Sequence, residues 1–258
     1  MTRRTTAGFW TRLRYRFNET ADHRLRYDAV LEILAKRRPE RVLEVGSGPV
    51  GLARYWQHGV VGLDQAFPSP PLRGLRPTVG SAVKLPFEAG SFPVVISIDM
   101  LEHLPPDARL AAITEMVRVS RDVLILACPC GPAARQAEAE LVQAWAGHLP
   151  DWQAEHQAAG LPDRAELTAL LEAAMATCGR RGRLQWRSGG SAAAWLPLTR
   201  PLRAPWHRLL TQPALLATWP LWRPWALQGE PYRQVVIIEW AQGPTDKATT
   251  SEAAAALA

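Results

Sequence analysis

The chain has 258 residues, 47% hydrophobic and 21% charged, with a formal net charge of +6, which suits one substantial core with additions rather than two domains. Its three cysteines, Cys128, Cys130 and Cys178, are too few and too odd in number for a disulfide framework, so a reducing, cytoplasmic compartment is expected. Cys128 and Cys130 flank Pro129, but no second Cys or His pair stands at zinc spacing, and no metal is expected.

The N-terminal "MTRRTTAGFWTRLRYRF" is basic but has no continuous apolar stretch or small-residue cleavage site, so it does not read as a secretory signal. Next, "DHRLRYDAVLEILAKR" places Leu25, Val30, Leu31, Ile33 and Leu34 largely on one helical face, and Pro39 ends that helix. Residues 1–38 are thus a basic segment plus a helix. "RVLEV" predicts a strand, "VGLARYW" the start of a helix, "VVGLD" a second strand ending at Asp64, and "TVG" a short third one. "PVVISID" is a continuous apolar run of the kind a parallel strand covered on both faces requires. "PPDARLAAITEMVRVS" predicts a helix with Pro and Asp at its start, and "DVLILACP" a fifth strand.

This alternation predicts a doubly wound, mostly parallel sheet. Two helices, "AARQAEAELVQAWAGHL" and "RAELTALLEAAMATCG", and the strands "RLQWRS" and "YRQVVIIEWA" come next. Between those strands a Pro- and Trp-rich segment, about residues 190–230, is too long for an ordinary connection and reads as a helical insertion or lid. Its longest apolar run, "LLTQPALLATWPLWRPWAL", is broken by prolines and Arg223, so no membrane span is expected. The main domain spans 39–242, and the tail 243–258 has little to bury and is expected to be disordered.

Gly46, Gly48 and Gly51 stand in G-x-G-x-x-G spacing after the first strand, where glycine lets the backbone bend and approach a ligand. Asp64, eighteen residues after Gly46, can accept the hydroxyls of a ribose. An adenosine-bearing cofactor is therefore expected, with NAD and S-adenosylmethionine both open at this stage. Glu44 separates them, because a carboxylate there could balance an amino-acid ammonium and NAD offers none. No tyrosine has a lysine four residues on, which also disfavours a short-chain dehydrogenase.

With "LEVGSG", "LPF" and "EHL", the chain resembles the class I S-adenosylmethionine-dependent methyltransferases of the small-molecule, type 11-like group, over about residues 40–130. The resemblance implies a Rossmann-like seven-stranded sheet whose last strand, "VVIIEW", is antiparallel. It also implies a site for S-adenosyl-L-methionine: Glu44, Gly46, Ser47, Gly48 and Gly51 at the methionine end, and Asp64 with Gln65 at the ribose. Ser81 and Ala82 would flank the adenine, with Asp99 and Met100 beside the methyl donor. Val50 stands where the family often has glycine, Ser81 replaces its usual acid, and Pro93 replaces an acid before the fourth strand.

On the acceptor side, His103 of "EHL" is a candidate base, though in such proteins the Glu102–His103 pair often only closes the pocket. His156, read as a loop histidine behind Glu155, is a second candidate. The expected reaction is methyl transfer, at an oxygen, to a small-molecule, glycan or lipid-linked acceptor.

Positive charge gathers at the ends: residues 1–26 hold seven Lys/Arg against two Asp/Glu, and 179–233 nine against one. Arg3, Arg4, Trp10, Arg12, Arg14, Tyr15 and Arg16 at one end suit an anionic partner or peripheral membrane contact. So do Trp206, Trp219, Trp222 and Trp225 among Arg200, Arg203, Arg208 and Arg223 at the other, although ordinary helix packing also accounts for these tryptophans. RNA methylation is the main rival, disfavoured because "SIDMLEHLPP" lacks the Asn/Asp-Pro-Pro-aromatic signature of base methylation. A non-catalytic binding protein on the same fold is the other.

Overall fold

In the computed structural model the residues described are 20–56, 58–67, 72–144, 150–199 and 205–241, with 205–210 described by their backbone alone. The N-terminal Arg/Trp group, Arg200, Arg203, the tail, and the side chains of Trp206 and Arg208 lie outside the described residues.

The sheet has seven strands in the order β3-β2-β1-β4-β5-β7-β6. They are β1 (Val42–Val45), β2 (Val60–Asp64), β3 (Leu75–Val79), β4 (Phe92–Ile98), β5 (Ser120–Pro129), β6 (Gly182–Ser188) and β7 (Arg233–Trp240). All neighbours through β5 are parallel, and β7 runs antiparallel between β5 and β6. This is the Rossmann-like sheet, with its antiparallel last strand, that the sequence predicts. β4 is buried at every position, as its unbroken apolar run requires.

Helix α1 (Ala21–Arg37) covers one face, setting Tyr27, Val30 and Leu34 against Val42, Val60, Val94, Ile96, Val123 and Ile125. Thr20 caps its start by accepting from the His23 amide, and Arg38 ends it in the left-handed region at φ 44° before Pro39. The other face is covered by α2 (Pro106–Val119) and α5 (Arg164–Thr177), which bury Ile113, Met116, Val117, Leu167 and Leu171 on Leu43, Val95, Leu124 and Leu126. Between β5 and α5 lie α3 (Pro132–Ala144) and α4 (Asp151–Ala159).

Two expectations change. The helix expected after the glycine turn is only a four-residue 3₁₀ turn, Gly51–Arg54, because the chain must return to β2 by Val60. The stretch holding His156, read as a loop, is helix α4.

The insertion consists of α6 (Ala192–Thr199), α7 (Pro205–Ala217) and α8 (Trp219–Ala226). Trp219 is buried with Leu25, Ala194 and Ala226, so it packs the insertion onto α1. Arg223, considered for anionic headgroups, instead pairs with Asp28 at 2.6 Å and with Glu32, both on α1.

Arg109 of α2 is 1% exposed and ties the segment after β4 to the end of α4 and to α5. It donates to the carbonyls of Leu101, Leu104, Ala159 and Gly160 and to Glu166. Arg109→Met keeps most of the buried stem but leaves those carbonyls without their donor. A loss of about 3 kcal/mol in urea unfolding is expected; a loss under about 1 kcal/mol would mean that water replaces the guanidinium.

Candidate active site

A cleft of about 750 Å³ opens at the carboxyl ends of β1, β2 and β4, where open parallel sheets bind ligands, and its size falls in the roughly 300–1,000 Å³ range of ligand pockets. Its lining holds Gly46, Ser47, Gly48, Gly51, Asp64, Gln65, Ser81, Ala82, Asp99, Met100 and His103 of the residues singled out in the sequence. Glu44 and His156 are not in it. Residues with no sequence signal attached join them: His23, Arg26 and Tyr27 from α1, Arg54 at the end of the 3₁₀ turn and Tyr55 after it.

The glycines do different jobs. Gly48, at φ +55°, has no atom of the described residues within 4 Å of where a Cβ would stand, so it presents bare backbone to the cleft. Gly46, at φ +79°, lies on Met100, whose Cγ would be 2.4 Å from an added Cβ. Beneath Gly51 is Glu44, with Oε2 2.1 Å from a Cβ position.

Glu44 is thus corrected from a cleft residue to a support beneath the loop. Alternation along β1 puts it on the same face as Val42, under α1. There Oε1 accepts from the Tyr27 hydroxyl and Oε2 from the Leu52 amide, both at 2.7 Å. Burial pushes its carboxyl up to about 7, against the pull of those two donors.

Asp64 ends β2 in the cleft wall, where Oδ2 accepts from the Gly48 amide at 2.8 Å and Oδ1 from the Gln65 amide at 2.7 Å. Each oxygen keeps a lone pair, the donor-poor arrangement a ribose diol needs. Ser81 forms a tight turn with Lys84 past β3, and Ala82 lies next along the cleft.

Asp99 comes directly after β4 at φ 50°, its carboxylate gripped by Arg233 through two bonds of 2.6 Å and approached by Arg26 at 3.2 Å. Burial raises its pKa, but the two arginines outweigh burial and hold the group below its usual range. Burial, with Arg26 beside it, pushes His23 down to about 4, so that ring is uncharged near neutrality.

On the acceptor side, Met100 leads into the 3₁₀ turn Leu101–His103. His103 faces the cleft with Nδ1 2.6 Å from Glu155. Burial and the neighbouring His156 lower its pKa, against the opposing pull of Glu155. His156 is only 5% exposed, its Nδ1 2.8 Å from Glu138 and its Nε2 3.4 Å from His103 Nε2. It therefore stands behind His103 and does not line the cleft, which corrects the expectation of His156 as a second candidate base on a loop. Glu102 is wholly buried, and burial with nearby Asp99 raises its pKa well above the ordinary value.

Residues 43–126 match the family model described as a methyltransferase domain. Those residues carry a methyltransferase domain, which makes the chain a methyltransferase with S-adenosylmethionine as its cofactor. Solved structures share the fold at low identity. A SAM-dependent methyltransferase of Thermotoga maritima, described as a possible histamine N-methyltransferase, is 17% identical, with a TM-score of 0.51 over 85% of this chain and 92% of that one. A Pyrococcus horikoshii protein is 16% identical, with a TM-score of 0.53 over 87% and 93%. The plantazolicin methyltransferase BamL, solved with a desmethyl analogue and S-adenosylhomocysteine, is 12% identical, with a TM-score of 0.54 over 90% and 91%. None of the curated proteins matches the chain significantly.

The cleft fits the cofactor, because bare backbone at Gly48 adjoins a carboxylate with free lone pairs at Asp64. Asp64 would hold the ribose, Ser81 and Ala82 would flank the base, and Gly46 to Gly48 would face the methionine end.

Asp64→Ala and Gly48→Ala should each weaken S-adenosylhomocysteine at least tenfold by isothermal titration, with NAD as control, while the protein stays folded; unchanged affinity in both would remove the site. Gly46→Val is a poorer probe, since it would first displace Met100.

Glu44 makes stability depend on pH. Between pH 4.5 and 7 the folded protein holds a proton that the unfolded chain has released, so stability falls as pH rises through that window and levels off above it. Glu44→Gln should remove about 3 kcal/mol of that pH dependence in denaturant unfolding.

Proposed function

We propose that the enzyme methylates an oxygen of a small-molecule acceptor, a glycan or lipid-linked hydroxyl compound included. The observation that carries this reading is the His103–Glu155 pair on the cleft wall, with its 2.6 Å contact. When bound, S-adenosylmethionine supplies an electrophilic methyl group on a sulfonium, so the chain's own residues have to align a nucleophile, exclude water and manage one proton. A hydroxyl must shed its proton as it is methylated, and an uncharged imidazole backed by a carboxylate suits that task. The lowered pKa of His103 keeps the pair proton-accepting at neutral pH. His156 acts through His103 as a positioning residue.

The test is turnover on a panel of hydroxyl and amine acceptors, monitored by release of S-adenosylhomocysteine. Oxygen methylation is expected, and His103→Ala should lower kcat by about 10²- to 10⁴-fold with S-adenosylhomocysteine affinity retained. Methylation at nitrogen alone would overturn the reading.

Peripheral membrane contact by the insertion is the reading that a lipid-linked acceptor would add, and three free cysteines support a reducing, cytoplasmic setting for it. Leu221 is 81% exposed and Trp225 53%, beside an apolar cavity of about 370 Å³ lined by Pro197, Leu198, Leu215 and Trp222. Leu221→Glu should cut co-sedimentation with phospholipid vesicles several-fold, and no sedimentation of the unaltered protein with neutral or anionic vesicles would end this reading.

A further inference from the structure

The turn Leu101–His103 and helix α4 bring Glu102, His103 and His156 together, one donor atom from each lying within 4.8 Å of the others. Both rings are held from behind. His103 Nδ1 is 2.6 Å from Glu155 and His156 Nδ1 is 2.8 Å from Glu138, which also accepts from the Tyr232 hydroxyl at 2.9 Å. A carboxylate in that position takes the Nδ1–H, which fixes the tautomer and leaves Nε2 as a lone pair. The two Nε2 atoms are nevertheless 3.4 Å apart, with no hydrogen left for either to share.

Glu102 adds a second, independent sign. It is 0% exposed, among the described residues neither of its oxygens has a hydrogen-bond partner, and Oε1 lies 3.9 Å from His156 Nε2. Buried polar atoms left this way are costly, and native structures satisfy nearly all of them with a protein group, an ordered water or an ion.

We propose that Glu102, His103 and His156 bind a divalent first-row metal ion, with zinc as the test case. Two ligands about 2.1 Å from a tetrahedral ion stand about 3.4 Å apart, the separation that the two imidazoles already have. Two histidines and one carboxylate are a donor set of catalytic zinc sites, which keep a position open, whereas magnesium prefers oxygen ligands. Glu138 and Glu155 supply the outer carboxylates that orient metal-bound imidazoles. His103 lies on the cleft wall while Glu102 and His156 lie behind it, so the open position faces the acceptor.

The consequence for catalysis rests on the oxygen-methylation reading. An acceptor hydroxyl on the ion loses its proton more readily. With His103 Nε2 held on the ion, Glu155 would replace the imidazole as the base: the O–H bond breaks with the proton passing to Glu155, the O–C bond forms as the S–C bond breaks, and the sulfur keeps that electron pair.

The experiment titrates the full-length, chelator-treated protein with Zn²⁺ in competition with a chromophoric chelator, with Mg²⁺ as control and S-adenosylhomocysteine titrated in parallel. One equivalent of Zn²⁺ is expected, with affinity at least tenfold weaker in both Glu102→Gln and His103→Ala and cofactor affinity retained. Co²⁺ loaded in place of Zn²⁺ should show no thiolate charge-transfer band, which separates this site from the cysteines. Glu155→Gln, at a half-exposed position, serves where Glu102→Gln fails to fold, and should weaken Zn²⁺ about tenfold. No stoichiometric Zn²⁺ in the unaltered protein, equal affinity in the variants, or a cobalt–thiolate band would overturn the site. Zinc bound as expected, with only amines methylated, would instead sink the oxygen reading and leave the metal site standing.

Discussion

Asp99 leaves β4 with a backbone φ of 50°, a conformation that costs a non-glycine residue about 1–2 kcal/mol, and the two-pronged grip of Arg233 holds it there. That turn sets the course of the next four residues. It lays Met100 under Gly46, forming the floor of the cofactor cleft, and starts the 3₁₀ turn that carries Glu102 and His103 to the acceptor side. Glu44 and Glu102 are buried, and Asp99 partly so, toward the carboxyl ends of the central strands β1 and β4, and each is accommodated differently. Uncharged donors hold Glu44, two arginines hold Asp99, and among the described residues no hydrogen-bond partner reaches Glu102. A buried acid with cations around it keeps its charge, whereas one without them is driven toward its neutral form.

The cleft wall opposite the glycine loop belongs to α1, and α1 does not stand alone. Asp22 and Asp99 share Arg26, whose guanidinium lies between the helix and the end of β4. From outside, the insertion clamps the same helix through Arg223 on Asp28 and Glu32, through Gln212 on the amide of Ala21, and through Trp219 packed beside Leu25. Displacing the insertion therefore moves His23, Arg26 and Tyr27, and Tyr27 in turn carries one of the two bonds to Glu44. The segment richest in tryptophan is coupled in this way to the loop richest in glycine, although neither touches the other in sequence.

The strands were legible because parallel strands buried on both faces must be continuous apolar runs, and the glycine loop because its spacing, with Asp64 downstream, has few structural uses apart from ligand binding. Other features were not. Glu44 looks like a cleft residue from its place at a strand end, but its side of the sheet is set by its parity with Val42. Arg26 has Asp22 four residues before it, which looks like an ordinary surface pair on a helix. His156 lies in a nine-residue helix too short to show a clear period, and its burial depends on Glu138 and His103, distant in sequence. Arg233 opens an apolar strand, where a charge reads as an edge residue; only the fold brings it to Asp99.

The family match ends at residue 126, and that boundary separates two kinds of information in the chain. Within it lie the glycine loop, Asp64, Ser81 and Asp99, which line the cleft where the cofactor would lie, and His103, at its far end. Outside it lie α1, His156, Glu155, Glu138, Tyr232 and the insertion, which set the far wall and orient His103. A methyl donor is the same molecule in every such enzyme, so its half of the cleft can be recognised from local spacing. An acceptor is particular to each, and its half is assembled from segments that come together only when the sheet has formed. The 3₁₀ turn Leu101–His103 is where the two halves join, since it begins at the floor of the cofactor cleft and ends on the wall shared with Glu155.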